Sequence, residues 1–156
     1  MTLRRRLPGL VRAFLIVAGL SPLVPWLLGG VPVLHHVGDV FDLWFAAQCH
    51  RDPQRSLMLL GRVLPVCHRC SGVYFGLGLG ALVVRPRLSP WPLRIWVVAA
   101  ALLMLADVGS EAMAWRPASA AVRMFTGLLL AYPVGVALVQ AVRDAWGTSD
   151  PELHAQ

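Results

Sequence analysis

The sequence contains no lysine, and charged residues of any kind fill only 14% of its 156 positions. Soluble domains carry about 25% charged residues, so this scarcity argues against an ordinary water-soluble domain. The missing lysine is most simply the codon bias of a GC-rich genome. Linkers and low-complexity runs are also missing, so residues 1–156 are expected to form a single integral membrane domain. The basic residues, all arginine, are scattered between apolar segments rather than gathered on one face. That pattern excludes a nucleic-acid surface and points to membrane topology instead. Cysteine is just as scarce. The chain has three, and all lie within the 22 residues from Cys49 to Cys70.

Hydrophobic residues, by contrast, make up 57% of the chain. Four segments approach the roughly 20 apolar residues a membrane crossing needs: residues 13–34, 71–84, 95–114 and 119–142. The expected fold class is an all-α membrane protein. It is a four-helix transmembrane bundle, with a small hairpin and Cys-x-x-Cys knuckle between spans one and two. Residues 35–70 form a Cys/His island, and residues 143–156 a polar C-terminal tail. In the first span, Pro22, Pro25 and Pro32 with Gly29-Gly30 are expected to bend the helix rather than end it. Arg4-Arg5-Arg6 resembles the start of a signal peptide, but apolarity continues well past the poor cleavage site at Val17-Ala18-Gly19. Eight arginines (4, 5, 6, 12, 85, 87, 94, 143) fall on one side of the spans, against five (51, 55, 62, 69, 116) on the other. The positive-inside rule then places both termini in the cytoplasm of a multi-pass protein, with the island outside. A re-entrant first segment would reverse this.

Within the island, residues 37–47 read as an amphipathic interfacial helix. Residues 56–60 and 63–66 are short apolar runs separated by Gly61-Arg62, which suits a tight hairpin turn. The hairpin leads into Cys67-His68-Arg69-Cys70. Cys67 and Cys70 can chelate one ion from a single turn, and Cys49 supplies a third sulfur. Zinc is the expected metal. The fourth position is open to His50, His68, His35 or water. A histidine would close a structural site, and water would leave a catalytic one. The competing reading is a Cys67–Cys70 disulfide with Cys49 free. His35, Asp39 and Asp42 share a helical face. They read either as outer-shell partners or ligands of a second ion, or simply as a wet helix end.

Two stretches carry a resemblance. Cys49-His50-x-x-Pro53-x-Arg55-Ser56 is followed by Gly61-Arg62-x-Leu64-Pro65-Val66-Cys67-x-Arg69-Cys70-x-Gly72-x-Tyr74-x-Gly76. Together they resemble a family of small bacterial membrane proteins, a domain of unknown function. The likeness runs to about Gly135, through Asp107 and Arg123-x-x-Thr126-Gly127. It implies a protein of the bacterial inner membrane with a cysteine motif, and no particular activity. His68 stands at a variable position of that pattern, so the resemblance favours His50 as fourth ligand. This chain has Glu111 where the family tends to have glutamine. It has Ala118-Ser119-Ala120 in place of a Ser-Asn-Asn-like run.

The second span carries Gly72, Gly76 and Gly80, a small-residue face on which another helix can pack. Its 14 residues reach only about 21 Å, so it must borrow residues from the cysteine turn or from the Arg85 end. Asp107, Glu111 and Arg123 are costly inside a bilayer, about 2.5–3.5 kcal/mol each near its centre. They read either as a clamp between the last two helices, in which Glu111 and Arg123 pair at nearly equal distances from a turn near Trp115-Arg116-Pro117, or as candidate catalytic residues. In the second case a carboxylate is the general base and Arg123 binds an anion such as a lipid phosphate. Three functions follow: a structural zinc protein of the membrane, a zinc hydrolase acting on a lipid-linked substrate, or a thiol–disulfide or metal-transfer protein. The expected partners are the lipid bilayer and a lipid or membrane protein, with no nucleic acid.

Overall fold

The computed structural model describes residues 2–28, 35–49, 55–83 and 89–146. Among these the elements run α1 (Thr2–Leu20), α2 (Leu23–Leu28), α3 (His35–Ala46), β1 (Ser56–Leu59), β2 (Arg62–Cys67), α4 (His68–Leu82), α5 (Pro90–Ala112) and α6 (Ala120–Trp146). Helix therefore dominates, as the apolar runs predict. Two helices, α5 with 23 residues and α6 with 27, are long and apolar enough to cross a membrane. At 1.5 Å per residue they reach about 34 and 40 Å.

α1 starts earlier than residue 13, and Pro22 ends it rather than bending it. The Ser21 amide turns back to the Ala18 carbonyl at 3.2 Å, and Val24 to Ser21 at 3.0 Å. The Ser21 hydroxyl also donates to Ala18 at 2.6 Å. These bonds replace the helical pattern that a proline nitrogen cannot continue. α4 begins at His68 rather than residue 71, so Cys70 lies in its first turn. α6 continues to Trp146, four residues into the expected polar tail. Residues 147–156 lie outside the described residues, as do Gly29-Gly30 and Pro32 of the first span.

α4 and α6 lie backbone against backbone. A Cβ on Gly72 would collide with the Met124 carbonyl, and one on Gly76 would lie 2.7 Å from the Leu128 carbonyl oxygen. Further along, Gly80 meets Tyr132 and Val136. Contacts advance in the same direction on both helices, so α4 and α6 are parallel. α1 runs the opposite way along α4, with Gly19 against Gly78 and Arg12 reaching the far end. There the Arg12 guanidinium donates to the carbonyls of Ala81 at 2.9 Å and Leu82 at 2.7 Å, meeting the open C-terminus of α4. α5 buries little beyond Ala100 and Asp107 and exposes Trp91, Ile95, Val98, Leu102 and Leu105. Such an apolar surface suits lipid rather than water.

The hairpin turn falls at Leu60-Gly61, one residue earlier than expected. Both residues have positive φ, 47° and 78°. A two-residue turn of this kind matches the twist of the strands and wants glycine second. Leu60 bears the steric cost of that backbone and is 88% exposed. Leu60→Asn is therefore expected to stabilise the fold by about 1 kcal/mol, measured by thermal unfolding in detergent. The register slips between Ser56 and Met58, so β2 carries extra residues there. Pro65 sits in this irregular stretch, where its missing amide breaks no ladder bond. Leu64, Pro65 and Val66 are consecutively buried as a result.

Candidate metal centre

β2 passes into α4 at Cys67, whose backbone is still extended (φ −69°, ψ 164°) and which caps the helix. Cys70 follows three residues later in the first turn. This position gives both sulfurs the helix N-terminus, where backbone N–H groups and the macrodipole favour thiolates. Cys49 arrives from α3. Phe45, fully buried, stacks edge-on against Tyr74 at 5.5 Å between ring centroids. The turn after α3 closes with the amides of Gln48 and Cys49 donating to the Phe45 carbonyl at 3.0 and 2.9 Å. Tyr74, one turn beyond Cys70, donates its hydroxyl to Gln48 at 2.6 Å. These contacts swing Cys49 over the start of α4.

The three sulfurs lie within 4.8 Å of one another and could hold a metal ion. All three cysteines are free thiols and partly buried. The Cys67 amide donates to the Cys49 sulfur at 3.3 Å. The Cys70 thiol, donating to Cys67, holds the Cys67 pKa at about 5, against the ordinary 9.0. Burial works against this, and the backbone amides of Cys70 and Arg69 assist it. Because the folded value is lowered, the fold gains most above pH 9.0 and loses that gain as pH falls towards about 5. In metal-free protein the ultraviolet absorbance of one thiolate is expected to persist until pH falls to about 5. Disappearance near pH 9 would show an unperturbed thiol.

Among the described residues no histidine joins the three sulfurs. His68 turns away, with Nδ1 donating to the Arg55 carbonyl at 2.5 Å. His50 and the side chain of His35 lie outside the described residues. Asp39 is exposed and Asp42 partly so, lining a cleft with Trp26 and Arg62.

The carboxylates Asp107 and Glu111 meet three arginines, not one. Arg123 grips Glu111 through Nε at 3.0 Å to both oxygens and through Nη2 at 2.8 Å. Arg69 donates to Asp107 at 2.6 Å and lies 3.5 Å from Glu111. Arg116 pairs with the other Asp107 oxygen and lies 3.8 Å from Glu111. The expected Glu111–Arg123 pair thus forms. Sequence reasoning counted Arg69 and Arg116 as markers of membrane orientation, and Arg69 as a position of the cysteine motif, and missed both as partners of the acids. The signal was available: Arg69 lies inside the chelating turn and Arg116 in the α5–α6 turn, at the end of the helices where the acids lie. Arg69 ties the cysteine turn to α5.

Residues 49–137, more than half of the chain, match a family described as Predicted membrane protein (DUF2085). An uncharacterised protein of Methanocaldococcus jannaschii is 24% identical over 118 residues, covering 66% of this chain and 75% of that protein. One of Methanothermobacter thermautotrophicus is 33% identical over 94 residues, covering 58% and 79%. Both relatives are archaeal, and so lend no support to the expected bacterial origin. No solved structure matches the chain. The matched segment begins at Cys49 and takes in all three cysteines and the five-residue charge group, and the chain belongs to this family of predicted membrane proteins.

Proposed function

We propose that this is a multi-pass membrane protein that holds a zinc ion at the membrane surface through Cys49, Cys67 and Cys70, with His50 as fourth ligand. The observation that carries the reading is the convergence of three sulfurs within 4.8 Å at the N-terminus of α4. Sulfurs around a tetrahedral zinc stand about 3.8 Å apart, given Zn–S bonds of about 2.3 Å. Small side-chain rotations close the difference. The zinc is structural: it joins α3, the hairpin and α4 where short elements have little core of their own. Asp107, Glu111 and Arg123 act as a clamp beneath it. Asp107, with each oxygen taken by a guanidinium, is a poor general base.

Four crossings complete the reading. α1 and α4 accompany α5 and α6, and their alternating directions are those that four successive spans require. Both termini are cytoplasmic, and the metal faces outward, in line with the arginine distribution. A second reading, thiol–disulfide exchange through Cys67 and Cys70, draws support from the low-pKa thiol at the helix start.

Cobalt substitution separates the two. Three thiolates on tetrahedral cobalt give intense sulfur-to-metal absorption, which Cys49→Ser should reduce by about a third. A protein that binds no cobalt and oxidises to a Cys67–Cys70 disulfide would favour the exchange reading. If His50→Ala also loses the fold, the site is closed by that histidine.

A further inference from the structure

The charges beneath the cysteines do not cancel. Among the described residues, Arg69, Arg116 and Arg123 bring three positive charges to two carboxylates. A clamp for Asp107 and Glu111 needs two cations, so one arginine is extra. Arg123 is committed, with two nitrogens on Glu111. Arg69 and Arg116 instead share Asp107, each through one nitrogen. The Arg69 Nε is buried and makes no hydrogen bond, a further sign that donors outnumber acceptors here. The Arg116 side chain is 33% exposed, the most open of the five. It stands on the turn between α5 and α6, beside Trp115 at 79% and Met113 at 61% exposure. Exposed tryptophan at the end of a spanning helix marks headgroup depth.

A half-buried surplus of positive charge at that depth calls for an anion. The planar guanidinium fork matches two oxygens of a phosphate better than a point charge does. We infer that Arg116, with Arg69 behind it, forms an oxyanion site for a phosphate group, supplied by an anionic lipid headgroup or by a soluble phosphate. The inference rests on the membrane placement proposed above and not on the identity of the metal.

The test is thermal unfolding of purified, full-length protein, with metal content measured on the same samples. In detergent, inorganic phosphate is compared with chloride at equal ionic strength. In nanodiscs, phosphatidylcholine alone is compared with phosphatidylcholine plus phosphatidylglycerol. The site predicts that one of the two raises Tm by about 2–4 °C. The rise should vanish in Arg116→Gln and survive in Arg94→Gln, a change at the exposed start of α5. Each comparison is made within one protein, so a lower starting stability does not obscure it. Should Arg116→Gln fail to fold, Arg116→Lys keeps the charge, loses the fork and should lose most of the rise. A response to phosphatidylglycerol alone assigns a lipid headgroup. A response to inorganic phosphate in detergent assigns a soluble anion. No response in wild type, or an equal one in wild type and the Arg116 variant, overturns the site. The thiolates of the cysteine group would then be the counter-charge.

Discussion

Asp107→Ala is expected to destabilise the protein by about 3–5 kcal/mol. The Asp107 side chain is only 3% exposed and binds two guanidiniums, one on each oxygen. Removing it leaves Arg69 and Arg116 half-buried, with Glu111 as their only acid among the described residues, at 3.5 and 3.8 Å. Most of the loss is the cost of those stranded cations rather than the strength of the original pairs. For a chain of this length, about 1 kcal/mol moves Tm by about 2–4 °C, so a drop of roughly 10 °C should be visible in detergent. Asp107→Asn, which keeps the shape and one acceptor, should fall between. Arg69 lies between Cys67 and Cys70, so Asp107→Ala should also speed loss of bound metal to a chelator. A shift below about 1 kcal/mol would mean that the group behaves as an exposed surface pair.

Gly72→Leu is expected to be at least as damaging. Even a single carbon at that position would overlap the Met124 carbonyl, and a backbone cannot give way as a flexible side chain can. Gly127 faces the same constraint from the other helix, against the Arg69 carbonyl. Close backbone approach is the means by which helices associate in lipid, where no hydrophobic force draws them together. Overpacking usually costs about 1–3 kcal/mol, more where nothing can move. Loss of the α4–α6 contact would also displace Cys67 and Cys70 from Cys49. Gly72→Leu should therefore reduce metal content together with stability, whereas Gly9→Ala, which meets nothing, should change neither.

Long apolar runs made α5 and α6 readable, because a bilayer imposes length and composition on a helix together. The Cys-x-x-Cys turn and the hairpin were readable for a similar reason: tight turns demand particular residues at fixed spacing. Edges were harder. Leu60 occupies a backbone conformation that leucine rarely adopts, so propensity pointed one residue further on. Pro22 looked like a bend, and the Ser21 hydroxyl and local turn bonds made it a helix end. The Glu111–Arg123 pair followed from equal distances to one turn. Arg69 and Arg116 reach Asp107 across 38 and 9 positions of sequence. A side-chain meeting of that kind depends on how helices pack, which periodicity along one helix does not encode.

The metal assignment is tested most directly by elemental analysis with a thiol count, on protein purified without affinity metals. About one zinc ion per chain is expected, lost in both Cys49→Ser and Cys67→Ser. No metal, a single free thiol per chain and an unchanged fold would contradict it, and would leave Cys67 and Cys70 as a disulfide pair.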